Sequence, residues 1–224
     1  MQRIEFHCHT IYSKDSLLPP EKLLGTCRRK GIDRVIITDH NKTEGALRAR
    51  ELDPDRVIVG EEIMTSKGEL LVAFVQERIP PGLPPLEVIA RLREQGAFIS
   101  VSHPFDVMRS GHWELPDLEE ILPFVDAIET FNARCMSAQY NQQAQDFARE
   151  KGIKGTAGSD AHAAFELGKA SMILPEFHDA DSLRKALERV EFRVSLSSPL
   201  VHFTSRYATM RKKLGVGIPA YALK

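Results

Sequence analysis

Cysteine is scarce in this sequence. Cys8, Cys27 and Cys135 are the only three, odd in number and widely spaced. Neither a disulfide framework nor a zinc-knuckle spacing can be built from them, so reduced thiols in a cytoplasmic protein are expected. Charge of one sign is missing too. Lys and Arg total 30 against 31 Asp and Glu, a formal net charge of −1. No overall field therefore recruits nucleic acid or an anionic membrane, although a local patch can sit inside a neutral total. No apolar run approaches the ~20 residues that span a bilayer. The opening MQRIEFHCHT has no signal-peptide apolar region. Linkers, repeats and low-complexity segments are lacking as well. What remains is a globular composition, 42% hydrophobic and 27% charged over 224 residues, which suits a single domain over 1–224.

Short β-branched runs recur along the chain and predict strands at Arg3–Phe6, Arg34–Thr38, Val57–Val59, Leu70–Val75, Ala97–Val101 and Ala127–Phe131. Weaker candidates are Lys154–Ala157, Ala170–Leu174 and Phe192–Leu196. Helical spacing fills gaps between them, at Pro19–Lys30, Pro84–Gln95, Ala138–Lys151 and Ala180–Val190. Proline near a start and glycine past an end mark several of these boundaries. Continuous apolar strands alternating with helices predict parallel βαβ units covered on both faces. A basic amphipathic stretch, 200–214, is expected to pack as a helix on the outside of the barrel.

Residues able to hold a metal fall at strand ends: His7 and His9, Asp39 and His40, Glu61 and Glu62, His103, then Asp160 and His162, with Glu129 and Asn132 in and just after a sixth strand. In a closed parallel barrel the carboxyl ends converge on one rim, where active sites form. The two-residue period puts His7 and His9 on one face and Cys8, expected to be a buried inert thiol, on the other. Bridging carboxylates hold two cations ~3.5–4 Å apart, and a water shared between them ionises near neutral pH. Mixed His and carboxylate ligands suit zinc, manganese or iron(II). Singly, each motif has a plain alternative. Asp39 could cap a helix, Ser102-His103-Pro104 could be a turn, and Gly158–His162 could be a polar loop. Jointly, those alternatives require independent accidents at strand after strand.

The segments His7-Cys-His9-Thr10, Ser13-Lys-Asp15, Thr38-Asp39-His40, Gly60-Glu-Glu62-Ile63, Ser102-His103-Pro104 and Gly158-Ser-Asp160-Ala-His162 resemble, in order, the motifs of the PHP (polymerase and histidinol phosphatase) family. The resemblance spans residues 7–162. It implies a distorted (β/α)7 TIM-like barrel of the α/β class, with two or three divalent ions at the carboxyl ends of the strands, and hydrolysis of phosphoric ester bonds. His7, His9 and Asp160 would bind a first metal. Glu62, preferred to Glu61 because the aliphatic Ile63 follows it, would bridge to a second metal on His103. Asp15, His40 and His162 would bind a third. Many relatives carry a histidine where this chain has Glu69, which is then either a ligand or a surface residue. Asp39 orients a ligand, shuttles a proton or caps a helix.

Arg109 and Arg134 follow rim residues, and a guanidinium fork fits phosphate oxygens. Both are candidate catalytic phosphate contacts, with plain solvation as the alternative. Asn132 would bind phosphate or close a turn. His112 and Trp113 are expected to be exposed, and His178 and His202 to lie on the surface or in packing. The expected reaction is in-line attack by a metal-bridged hydroxide, most simply on a small phosphomonoester or nucleoside phosphate. An RNA or DNA exonuclease and a catalytically silent metal-binding regulatory module are the alternatives, and no membrane partner is expected.

Overall fold

The computed structural model describes residues 1–215 and Pro219. Seven strands build most of a barrel: β1 (Gln2–Glu5), β2 (Arg34–Ile37), β3 (Val57–Met64), β4 (Glu69–Ala73), β5 (Phe98–Val101), β6 (Ala127–Asn132) and β7 (Lys154–Gly158). β8 (Ala170–Leu174) and β9 (Glu191–Val194) extend the sheet beyond β1, giving the order β7-β6-β5-β4-β3-β2-β1-β8-β9. The ends of the β1–β7 run meet just past the named strands. Cys8 and Ala161 form a parallel bridge, and the His9 amide donates to the Ala161 carbonyl at 2.8 Å.

The helices are α1 (Pro20–Lys30), α2 (Glu44–Leu52), α3 (Pro85–Glu94), α4 (Leu115–Ile121), α5 (Ala138–Lys151), α6 (Ala180–Ala186) and α7 (Val201–Leu214). Their ends follow local chemistry. Gly31, left-handed at φ 63°, closes α1, and Gly152, at φ 66°, closes α5. Ser137 caps α5, and Asp179 with Ser182 forms a capping box on α6. Sequence periodicity missed α2 and α4. The buried positions of α2 are only Gly45, Ala46 and Ala49, so it lacks a large apolar stripe.

The wholly parallel expectation fails at two places. β4 runs antiparallel to both β3 and β5, and β8 runs antiparallel to β1 and β9. Only Thr65–Gly68 separates β3 from β4, far too short for the crossover that a parallel pair requires. This reversal has a consequence for the rim: it brings the first residue of β4, Glu69, to the end where the other strands finish.

Alternation sorts the core into two layers. Ile4, Phe6, Ile36, Ile58, Leu71, Ala73, Phe98 and Ala127 pack together inside the barrel. Val35, Ile37, Val57, Val59, Leu70, Val72, Ile99 and Ile128 face outward against Leu23, Val88, Leu92 and Phe147 of the helices. The inward columns then change chemistry toward the rim: Ile58 leads through Gly60 to Glu62, Phe98 to Ser100 and Ser102, and Ala127 to Glu129. The apolar plug fixes the barrel, and the period of two carries the polar residues to its open end.

Candidate metal centre

β1 ends at Glu5, and a bend at His7 follows. Cys8 then joins the outer layer, free and fully buried, and burial pushes its thiol pKa well up. His7 and His9 on either side face the rim, where both are fully buried. The Nε2 atom of His7 lies 3.3 Å from Glu62 Oε1 and 3.6 Å from Asp160 Oδ1. His9 Nε2 lies 3.4 Å from Glu62 Oε2 and 3.2 Å from the same Asp160 oxygen. Glu62 thus stands between two groups. His103 Nε2 reaches its Oε1 at 3.1 Å, and His40 Nδ1 reaches its Oε2 at 2.9 Å. Asp15 Oδ2 sits 3.4 Å from His40 Nε2 and 3.2 Å from His162 Nε2.

Glu69 completes this ring rather than facing solvent. It is 7% exposed, with Oε2 3.4 Å from His103 Nε2 and Oε1 3.8 Å from His40 Nδ1. Three overlapping groups place potential ligand atoms within 4.8 Å of one another: His7, His9 and Glu62; His9, His40 and His162; His40, Glu62 and Glu69. All nine residues expected to ligate are therefore brought together. Glu61 points the other way, into the outer wall beside Ile79 and Arg78.

Several buried polar atoms at the centre of this cluster approach one another without making a properly directed hydrogen bond: His7 Nε2, His9 Nε2, Asp15 Oδ1, Glu62 Oε2, Asp160 Oδ1 and His162 Nε2. Buried polar atoms are ordinarily satisfied. Imidazole nitrogens and carboxylate oxygens converging in this way fit divalent cations of the borderline kind. The electrostatics agree. Against the pull of burial, Glu62, Glu129 and Asp160 raise the His7 pKa well above its usual value, and Asp15 and Glu62 do the same for His40. Burial also opposes ionisation of Asp160, yet Arg109 and His7 hold its pKa well below the carboxylate range. A field that draws protons onto imidazoles draws metal cations as well.

Supporting contacts hold these groups in place. Glu129 accepts from His7 Nδ1 at 2.9 Å, from the His103 amide at 2.9 Å and from Asn132 Nδ2 at 3.1 Å. Its position on the inward face of β6 is the sequence signal for it, and the structure makes it a partner of His7 and His103. Ser102 donates to Glu62 Oε1 at 2.8 Å. His103 and Asp160 both adopt positive φ, 22° and 50°, a strained conformation for such residues that clusters at functional sites. Asp39 is fully buried and accepts from the Thr10 amide, the Thr10 hydroxyl and the Ser13 hydroxyl. Ser13 in turn touches His9 Nδ1 at 3.1 Å. The structure gives Asp39 no helix to cap, since α2 starts at Glu44.

Both arginines line the cleft but differ in their partners. Arg109 lines the cleft, with Nη2 2.6 Å from Asp160 Oδ2. Arg134 is 3% exposed, and Nη1 contacts His162, Nη2 donates to the Val201 carbonyl and Ser205, and Nε meets Glu166 at 3.1 Å. Its donors tie His162 to α7, while the residue also lines the cleft. Asn132 likewise binds Glu129 and Asp160. Trp113, expected to be exposed, is 4% exposed, and its indole donates to the Glu69 carbonyl at 3.0 Å.

Over the cluster opens a cleft of about 860 Å³ whose wall includes His40, Glu69, Arg109, His162 and one side of α7. The helix at 201–214 packs with Val201 and Ala208 buried and also borders the cleft. Sequence comparison matches part of this frame, leaving His103, Arg109 and α7 outside the matched segments. The family model described as PHP domain covers residues 5–78, and the one described as PHP-associated covers 138–191. The chain belongs to the PHP family. An uncharacterized protein of Methanocaldococcus jannaschii is 36% identical over 179 residues, 79% of this chain and 72% of its own. Two solved structures share the PHP fold at low identity. A two-domain Bacteroides vulgatus protein containing a predicted PHP-like metal-dependent phosphoesterase gives a TM-score of 0.70 at 18% identity, over 86% of this chain and 64% of that one. The lesion-specific endonuclease EndoQ of Pyrococcus furiosus gives 0.57 at 14% identity, over 88% and 59%. Among the described residues of this PHP protein, no helix is long and apolar enough to cross a membrane.

Proposed function

We propose that this protein hydrolyses a small phosphomonoester or nucleoside phosphate with divalent zinc, manganese or iron, in the cytoplasm. The convergence of buried imidazole and carboxylate atoms that lack properly directed hydrogen bonds carries this reading. His7, His9 and Asp160 would hold one ion, Glu62 would bridge it to a second on His103 and Glu69, and Asp15, His40 and His162 would hold a third. Bound ions of this kind make water a nucleophile near neutral pH and draw negative charge off phosphoryl oxygens.

The chain's own groups do the rest. Arg109, anchored on Asp160, presents a cation toward the substrate phosphate. Glu129 fixes the tautomer and tilt of His7, as ligand-supporting carboxylates do. Asp39 holds the Thr10–Ser13 turn and so positions His9 and Asp15. Arg134 fixes His162. The strained backbones of His103 and Asp160 keep their side chains aimed inward.

Element analysis of protein purified without added metal, followed by assay with manganese or zinc, tests this. Phosphate should be released from p-nitrophenyl phosphate and from a nucleoside monophosphate, and His9→Ala should abolish that release while the fold stays intact. Mononucleotides released only from a labelled oligonucleotide would replace the small substrate with a nucleic-acid end. Bound metal with no turnover on any substrate would overturn catalysis. Glu69→Ala should lose metal and Glu69→His should keep it; unchanged metal content in the alanine variant would remove Glu69 from the set.

A further inference from the structure

The sequence beyond residue 191 lies outside both family-model matches, yet α7 forms one wall of the cleft. It is fastened at both ends. Arg134 donates to the Val201 carbonyl and to Ser205 at 2.9 Å each, and Lys212 donates to the carbonyls of Ile11 and Ser13. So fastened, α7 turns two kinds of residue toward the opening. Arg206 and Lys213 are exposed, line the cleft together with Lys14, and have no ion-pair or hydrogen-bond partner among the described residues. Met210, 52% exposed, lines it with Met108 at 71% and Met136 at 49%, which come from the loops after β5 and β6. With Met64, four of the sequence's six methionines border this one cleft.

These features are out of proportion to a bare phosphate ester. Clefts of ~300–1,000 Å³ hold ligands of drug size, and this one is about 860 Å³. The scissile phosphate belongs at the floor, beside Arg109. Cations at the mouth then await a second negative group. Thioethers on separate segments form a soft apolar seat that conforms to flat groups.

We propose that α7 selects the substrate: Arg206 and Lys213, with Lys14, bind a second anionic group, while Met108, Met136 and Met210 seat a flat apolar group between that anion and the scissile phosphate. The substrate class is a phosphate ester whose alcohol part carries a flat ring system and a second negative charge. The proposal rests on the hydrolytic reading above and narrows it.

Phenyl phosphate, 2-naphthyl phosphate and 6-phosphonooxy-2-naphthoate add first ring area and then a carboxylate to one ester. The wild-type, metal-loaded enzyme should show kcat/KM rising along the series, with the carboxylate adding about tenfold, chiefly through KM. R206A/K213A should erase the gain from the carboxylate, and M210A should shrink the gain from the second ring. Equal kcat/KM for the three esters, or equal losses on all of them in R206A/K213A, overturns the proposal. Naphthyl fluorescence gives a second readout that needs no turnover. In D160N protein, 6-phosphonooxy-2-naphthoate should bind about tenfold more tightly than 2-naphthyl phosphate, and R206A/K213A should abolish that preference. Equal affinities overturn the inference even if hydrolysis is found. A preference in binding with no hydrolysis of any ester overturns the catalytic reading and leaves the ligand class standing.

Discussion

Glu61 and Glu62 are adjacent on β3, both fully buried, yet they live in opposite chemical worlds. Glu62 points inward among four histidines. Despite burial, His7 and His40 hold its pKa well below the usual value. Glu61 points outward into the apolar wall, where the Ile79 amide reaches it at 3.3 Å and the Arg78 guanidinium stands 4.0 Å away. Burial pushes its pKa up to about 8. Burial as such therefore says little about what a carboxylate does. The side of the strand decides whether it meets cations or hydrocarbon, and hence whether it is kept charged or neutral.

Substitutions at the two positions should break the comparison cleanly. The largest expected effect is at the inward residue. Glu62→Gln should lower phosphoesterase kcat/KM by about 10³-fold or more, since charge stabilisation by metal ions contributes several kcal/mol to such reactions. Element analysis and steady-state kinetics on the same sample would check it, and Glu61→Gln should retain both metal and turnover.

The outward residue should show itself in stability instead. Its folded-state pKa lies above its unfolded value, so the unfolded chain gives up its proton first. Stability should then fall as pH rises from about 4.5 to about 8. At ~1.4 kcal/mol per unit, this amounts to about 3 kcal/mol between pH 5 and pH 8. Glu61→Gln should flatten that slope in urea melts, and an unchanged slope would assign the pH dependence to other groups.

Glu129 tests the next rank, a carboxylate that touches His7 and the His103 amide. Glu129→Gln should weaken metal affinity about 10–100-fold, the usual scale for a partner of a ligating histidine, as measured by competition with a chelator. Smallest of all, Trp113→Phe should cost about 1 kcal/mol of stability, the net worth of the indole hydrogen bond to the Glu69 carbonyl. Thermal melts would show it, with metal content preserved.

Much of the fold is legible in the sequence. Strand candidates ending in His, Asp or Glu located the barrel and its rim, because β-branched runs and period-two alternation are local signals. The family motif prefers Glu62 to Glu61, and Glu62 is the one whose side chain faces the histidines. The helix α2 escaped because alanine and glycine make its buried face. The antiparallel β4 escaped because strand direction depends on the partner, not on the segment itself. The sequence places Arg134 near the site, and nothing local to the motif shows that α7 returns to take two of its donors. The burial of Trp113 escapes a local reading because its partner, the Glu69 carbonyl, lies 44 residues away along the chain.

By itself, then, the sequence determined which residues are chemically able to hold metal and which strand ends carry them, since alternation and donor type are properties of neighbouring residues. Tertiary structure alone decided that Glu69 joins the ring through a reversed strand, that Glu129 holds His7 and Asp39 holds the Thr10–Ser13 turn, and that α7 borders the cleft. Each of those depends on contacts between segments distant along the chain, whose distances and directions are fixed only when the barrel closes.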